Sequence, residues 1–446
     1  MDDDSIHYMS WFLIFLSFFL LIFVCGEAGE PSYPQIRNSV TCGYQGWFSA
    51  SRDVDIKNWR HYSANHRAFE EGSLGIELWP DMTEMDADEK FVTNFKNSKG
   101  EPQFVYSSEN KKTINRHFKW MKQYNIDGVY LQRFGTEIKN SNSANAQFVD
   151  SVLRSSLEAA IEHKRGISIT YDLSGLESGE LMSVIAQDWK RLCDQYRIRE
   201  QSCFFHDAKK PVVMIWGVGF NDGRKYTLKE TSELLEFFQN DPLYGGNRVI
   251  FGVPTFWREM KADAISDPLL HDMIRRSGMV SPWFVGRYKT ILEVTKHTER
   301  NVKADIEWCQ RNGVEYLPVC FPGFSWRNLM ESRGKVESWN YIPRLQGSFF
   351  WSQASQYYKA GAKMLYIAMF DEMDEGTAIF KCTNDVPVGK AGRELFLTYE
   401  GLPSDHYLWL SGKINEMFKG KLPISENQPE RKSDDRRLFD KLAPSK

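Results

Sequence analysis

Several common chemistries leave no trace in this sequence. It has no CxxC pair and no His/Cys ligand spacing, which removes structural zinc from expectation. No glycine-rich phosphate turn follows the first apolar run, so a doubly wound nucleotide-binding sheet, the runner-up architecture, loses its main support. Lys and Arg total 56 against 59 Asp and Glu, a formal charge of −3, and no basic cluster is interleaved with aromatics. Without a positive field to track phosphates, nucleic acid is not an expected partner. Asn-x-Ser/Thr sequons are also absent. Lys and Arg are missing where a leader normally carries them: Asp2, Asp3 and Asp4 precede the apolar residues 9–25. That run has the length of a signal-peptide core or a short spanning helix, so residues 1–29 are expected to be a cleaved signal or an anchor. The expected location is the secretory pathway, with the chain secreted or held on a membrane facing the lumen or exterior. Membrane contact would be confined to this segment.

Cysteine is sparse. Of seven, Cys25 lies in the apolar run, leaving Cys42, Cys193, Cys203, Cys309, Cys320 and Cys382. Cys42 and Cys320 sit in strand-like runs, where a buried thiol is the common outcome. Cys193 and Cys203 flank a helix-to-strand connection and are the one expected pair.

Tryptophan, by contrast, is plentiful, at 14. Flat indole faces suit the C–H face of a sugar, although core packing accounts for many such rings. After the leader one theme repeats: a short apolar or β-branched run, a polar loop, then apolar residues at helical spacing. The runs are residues 40–48, 128–134, 166–172, 211–218, 248–254, 279–285, 314–320 and 362–370. Most begin after a helix stop such as Gly278 or Gly313. Eight strands alternating with helices predict an α/β fold, a (β/α)8 TIM barrel forming a single domain over residues 38–420, with a long insertion after the first strand. Residues 421–446 are polar and expected to be disordered.

The eighth run leads directly into Asp371-Glu372-Met373-Asp374-Glu375-Gly376-Thr377. Four carboxylates in five positions repel one another unless some are protonated, hydrogen-bonded or solvated. A charged surface loop is the ordinary explanation for such a stretch, and calcium is a competing one. The regular ligand spacing and central Gly of a calcium loop are missing, and no metal or cofactor is expected. Barrel enzymes place catalytic groups at the C-terminal ends of their strands, which favours a functional turn. Glu372 and Glu375, three apart, can project to one side and form the acid and base pair of glycoside cleavage. Other strand ends offer groups for a carbohydrate: Tyr44 and Trp47, Gln132 and Arg133, Tyr171 and Asp172, Trp216, Trp283 and Trp326, with Trp79 and Asp81 from the insertion. For each aromatic the competing role is packing, and for Asp172 it is helix capping.

In order, these segments resemble glycoside hydrolase family 99, the endo-α-mannosidases, and the wider family 71/99-like glycosidases. The similarity rests on Gly43-Tyr44-Gln45-Gly46-Trp47-Phe48, Asn58-Trp59-Arg60-His61-Tyr62, Tyr106-Ser107-Ser108 and Cys320-Phe321-Pro322-Gly323-Phe324-Ser325-Trp326. The most specific segment is Phe370-Asp371-Glu372-Met373-Asp374-Glu375-Gly376-Thr377, which resembles the family's Phe-Asn-Glu-x-x-Glu-Gly-Thr signature. The resemblance implies a (β/α)8 fold and retaining hydrolysis of an α-linked, mannoside-like glycan. It gives Glu372 the role of base on the sugar's own 2-hydroxyl and Glu375 that of acid. Asp371 and Met373 depart from the pattern, at positions expected to bear on which sugar is taken. The alternatives are a xylosidase- or arabinosidase-like hydrolase of the same fold, or a catalytically silent carbohydrate-binding protein.

Overall fold

The structure is a computed structural model and describes residues 33–50 and 59–432. The expected leader at residues 1–29 lies outside the described residues. Among the described residues no helix is long and apolar enough to cross a membrane.

Eight parallel strands form the wall: β1 (Val40–Tyr44), β2 (Gly128–Phe134), β3 (Gly166–Asp172), β4 (Lys210–Trp216), β5 (Arg248–Val253), β6 (Met279–Pro282), β7 (in two pieces, Glu315–Tyr316 and Val319–Cys320) and β8 (Leu365–Ile367). Each pairs with its neighbour in sequence, and β8 pairs back onto β1 with Val40 opposite Leu365. The ring passes through β7 in two steps. Its first piece pairs with β6 and its second with β8, on either side of Leu317 and Pro318. Proline has no N–H to give a ladder, which explains the break. The Pro318 carbonyl still accepts from the Tyr366 amide at 3.0 Å.

At least one helix follows each strand, and the eight longest of the layer, one per strand, are α1 (Lys111–Gln123), α2 (Ala144–His163), α3 (Gln187–Tyr196), α4 (Leu228–Asn240), α5 (Leu269–Ser277), α6 (Lys303–Asn312), α7 (Ser348–Lys359) and α8 (His406–Phe418). Their starts carry ordinary caps. Asn110 and Ser143 accept from backbone amides of α1 and α2, and Thr227 with Glu230 forms a capping box on α4. Gly278 and Gly313 end α5 and α6 at φ 76° and 66°, as their place in the sequence predicts. Gly128 is required by close approach rather than by φ. A Cβ there would stand 2.1 Å from the Gly166 carbonyl oxygen.

Residues paired across parallel strands share a face, so the registers assign the two sides of the wall. Phe134, Asp172, Trp216 and Gly252 form one row; Arg133, Tyr171 and Ile215 form the next, on the opposite face. The insertion after β1 is built on an antiparallel hairpin, Phe91–Lys96 with Pro102–Val105. α1, within the stretch read as insertion, is the barrel's own first helix.

Two expectations change. Residues 421–432, in the segment expected to be disordered, lie against the barrel: Trp351 Nε1 donates to the Ser425 carbonyl, and Arg431 grips Asp405 with both terminal nitrogens. Residues 433–446 lie outside the described residues. Cys193 and Cys203 are not paired, and all six described cysteines are free thiols. The Cys203 sulfur is buried against the Leu157 carbonyl, facing α2 and not the end of α3.

Candidate active site

β8 ends at Ile367, and the chain then runs inward over the mouth of the barrel. Asp371 is fully buried and ties this segment to β1. Its Oδ1 accepts from the Gln45 amide and its Oδ2 from the Gly46 amide, both at 2.8 Å. Burial pushes its pKa up to about 7, while the two amides pull the other way.

Glu372 follows, buried and held at both oxygens. Gln45 Nε2 donates to Oε1 at 3.0 Å and Thr377 Oγ1 donates to Oε2 at 2.9 Å. Glu375 is only half-buried, and among the described residues no hydrogen-bond donor reaches its carboxyl. Burial first, and then neighbouring carboxylates, raise both: Glu372 well above the ordinary carboxylate range, Glu375 to about 7. Two donors reach Glu372 and, among the described residues, none reaches Glu375, so hydrogen bonding favours the charge on Glu372 while its burial opposes it. Asp374 is buried beside them, and its Oδ2 lies 3.3 Å from His61 Nδ1. Met373 is wholly buried, with its carbonyl accepting from the Glu77 and Gly376 amides.

Around the turn the wall supplies aromatics. Trp47 stacks on His61 with centroids 3.9 Å apart and planes 6° apart, and on Phe134 at 5.4 Å. Trp216 meets Trp283 edge to face at 5.5 Å, and Trp283 meets Tyr366 at 6.5 Å. Gln132 Nε2 donates to Tyr366 Oη at 3.0 Å. Asp172 shares the row of Trp216, but its Oδ1 accepts from the Ser174 amide at 2.7 Å, the local capping role weighed from the sequence. The indole N–H groups of Trp47 and Trp216 and the side-chain amide oxygen of Gln45 are buried without a partner among the described residues.

Other candidates are placed elsewhere. Tyr44 is buried behind the turn, its hydroxyl 2.9 Å from His117 Nδ1. Trp79 packs between Phe69, Phe95 and Phe396 and donates to the Phe104 carbonyl. Asp81 caps a turn by accepting from the Thr83 amide. Arg133 and Tyr171 point out of the barrel into the helical layer. Arg133 binds Asp188 and Asp150 at 2.7–3.0 Å, and the Tyr171 hydroxyl donates to Asp188 at 2.8 Å. Trp326, by contrast, lies beside the turn: it follows Ser325, whose amide donates to the Glu375 carbonyl at 3.0 Å, and it packs on Phe324 at 5.4 Å ahead of the short helix Arg327–Ser332. Gln45, His61, Phe134 and Thr377 belong to the site and were not singled out from the sequence. The register of β2 with β3 would have found Phe134, since it shares the row of Asp172.

Fold and site together define a (β/α)8 barrel with a paired-carboxylate turn on its C-terminal face. No family model matches the chain, and no curated protein matches its sequence. Solved structures do share the fold. A GH99 endo-alpha-mannosidase from Bacteroides thetaiotaomicron is similar over 87% of this chain and 99% of its own, at TM-score 0.61 and 14% identity. The same enzyme in complex with bis-tris-propane gives TM-score 0.60. A glycoside hydrolase-like protein is similar over 87% of this chain and 97% of its own, at TM-score 0.51 and 14% identity.

Proposed function

We propose that this protein is a retaining glycoside hydrolase that cleaves an α-linked, mannoside-like glycan, with Glu372 as base and Glu375 as acid. The observation that carries the reading is the asymmetry of the pair. One carboxyl is locked by Gln45 and Thr377, while the other is half-buried, has no donor among the described residues and is raised to about 7 by burial and by Asp374. An ionised base and a neutral acid on one turn are what two-carboxyl glycoside cleavage requires.

In the first step Glu372 takes the proton of the sugar 2-hydroxyl, and O2 attacks C1. The C1–leaving-oxygen bond breaks, and that oxygen takes the proton of Glu375. In the second step Glu375, now a carboxylate, takes a proton from water. The water oxygen bonds to C1 as the C1–O2 bond breaks, and O2 recovers its proton from Glu372. Trp47 on one side and Trp216 with Trp283 on the other are the platforms for the sugar.

The solved GH99 structures of the same fold support this reading, and the apolar run at residues 9–25 supports a secretory-pathway location. The test is a screen of purified protein on aryl glycosides and on α-mannan, α-glucan and xylan oligosaccharides. Glu372→Gln and Glu375→Gln should each abolish turnover yet leave sugar binding measurable by calorimetry. Near-normal hydrolysis by either variant would overturn the assignment. Binding with no turnover on any substrate would instead favour a silent carbohydrate-binding protein.

A further inference from the structure

Asp374 stands between the two glutamates and is explained by neither role. It is buried, its Oδ1 has no hydrogen-bond partner, and no lysine or arginine of the described residues lies within ion-pair distance of it. Among the described residues its one side-chain hydrogen-bond partner is His61 Nδ1, at 3.3 Å, and its own backbone amide is the other group that favours its charge locally. An ionised carboxylate so placed would carry an uncompensated charge in a poorly solvated position beside Glu372, Glu375 and Asp371.

His61 is a poor source of compensation. Its ring lies flat on Trp47, with His66 5.6 Å away and Arg60 next in sequence. Stacking on an indole is compatible with an imidazolium. Burial and the Arg60 charge oppose one, however, and hold His61 well below the ordinary histidine range. The remaining charged group facing this cluster is Arg333, from the short helix after β7, which favours the ionised forms of Asp374 and Glu375. It makes no ion pair with either among the described residues, and burial prevails over it. Arg60 itself is engaged by Glu137 and Asn145.

We infer that Asp374 is a neutral acid in the folded protein, donating its proton in a hydrogen bond to the bare Nδ1 of a neutral His61. Asp374 is then a positioning residue, and the His61–Asp374 pair regulates the charge of the site. It removes one negative charge from beside Glu372 and Glu375. The catalytic consequence rests on the hydrolase reading above; the protonation state does not.

The test begins with nitrogen-15 NMR of the imidazoles in the full, unsubstituted protein, with His61→Phe used to assign the signal. Between pH 5 and 7 the expected spectrum for His61 is an unprotonated, hydrogen-bond-accepting Nδ1 and a protonated Nε2. A doubly protonated ring at pH 7, or a protonated Nδ1, would overturn the proposal. A second measurement uses Asp374→Asn, which keeps a neutral donor toward His61. Because Asp374 is raised by burial to about 8, the native protein loses this residue's contribution to stability as pH rises toward that value. The variant's Tm should therefore fall less than the native protein's between pH 5 and 9; an equal fall would count against a neutral Asp374. Both readouts need no substrate. If the hydrolase reading fails through Glu375→Gln turnover while the NMR result holds, only the catalytic consequence is lost.

Discussion

Thr377 and Gln45 hold the two oxygens of Glu372 and so fix where the base points. Hydrogen bonds to an ionised group contribute about 1.5–3 kcal/mol, and one removed from the transition state slows the reaction about tenfold per 1.4 kcal/mol. Thr377→Val is thus expected to lower kcat by about ten- to a hundredfold with little change in KM, read from steady-state kinetics. The acid makes its own prediction. With Glu375 near 7, the active protonated form is lost as pH rises, so kcat/KM should fall on an alkaline limb centred near pH 7. A pH–rate profile flat from 6 to 9 would refute that assignment. At this scale the sequence was partly legible. The four-carboxylate turn announces itself by composition, but which carboxyl is free and which is held depends on Gln45, 327 residues away.

At the scale of elements, strands β2 and β3 run where the apolar pattern places them, residues 128–134 and 166–172. β8 is shorter, three residues in place of nine, because residues 368–370 leave the ladder to carry the turn inward. Alternation along a strand reveals two faces but not which faces the axis, and this is why Arg133 and Tyr171 were read as site residues. They alternate with Gln132 and Asp172 and therefore face the helices. Arg133 joins β2 to α2 and α3 through Asp150 and Asp188. Removing one partner of a buried ion pair costs about 3–5 kcal/mol when the other is left uncompensated. Arg191 also pairs with Asp150 and Asp188, at 2.7 Å each, so Arg133→Met is expected to lower stability by less than that amount in urea unfolding, while the KM of the folded fraction stays unchanged.

Over the whole molecule, buried ionisable groups set a pH dependence of stability. Glu77, Asp305 and Asp371 are each raised by burial to about 7, and Asp374 to about 8. Their contributions are complete below the unfolded values near 4 and are lost as pH rises through the folded ones. His117 is lowered by burial to about 3, and His297 and His406 to about 4, so theirs are complete above about 6.5 and lost as pH falls toward 3–4. The two slopes oppose each other between pH 4 and 6.5. Above that range only the carboxyl slope remains. With Glu375 also raised to about 7 and Glu372 above the ordinary range, the raised carboxyls outnumber the lowered histidines, so Tm should fall gently from pH 5 to 6.5 and more steeply toward pH 8; calorimetry showing a rise over that upper interval would contradict this account. The barrel itself was legible from eight apolar runs and their glycine stops. The packing of residues 421–432 against the barrel was not, because it depends on single contacts such as Arg431 with Asp405 rather than on any periodic pattern.

Asp371 takes its two hydrogen bonds from the first strand's end, 325 and 326 residues earlier in the chain. The acidic turn is therefore a seam between the beginning and the end of the barrel. During synthesis the acidic turn cannot be held in place until the last strand has emerged and docked beside the first, and contacts of such long separation form slowly. A chain halted after α7 would hold seven of the eight strands and all three platform tryptophans, yet neither of the paired glutamates. Competence and completion of the ring arrive in one event.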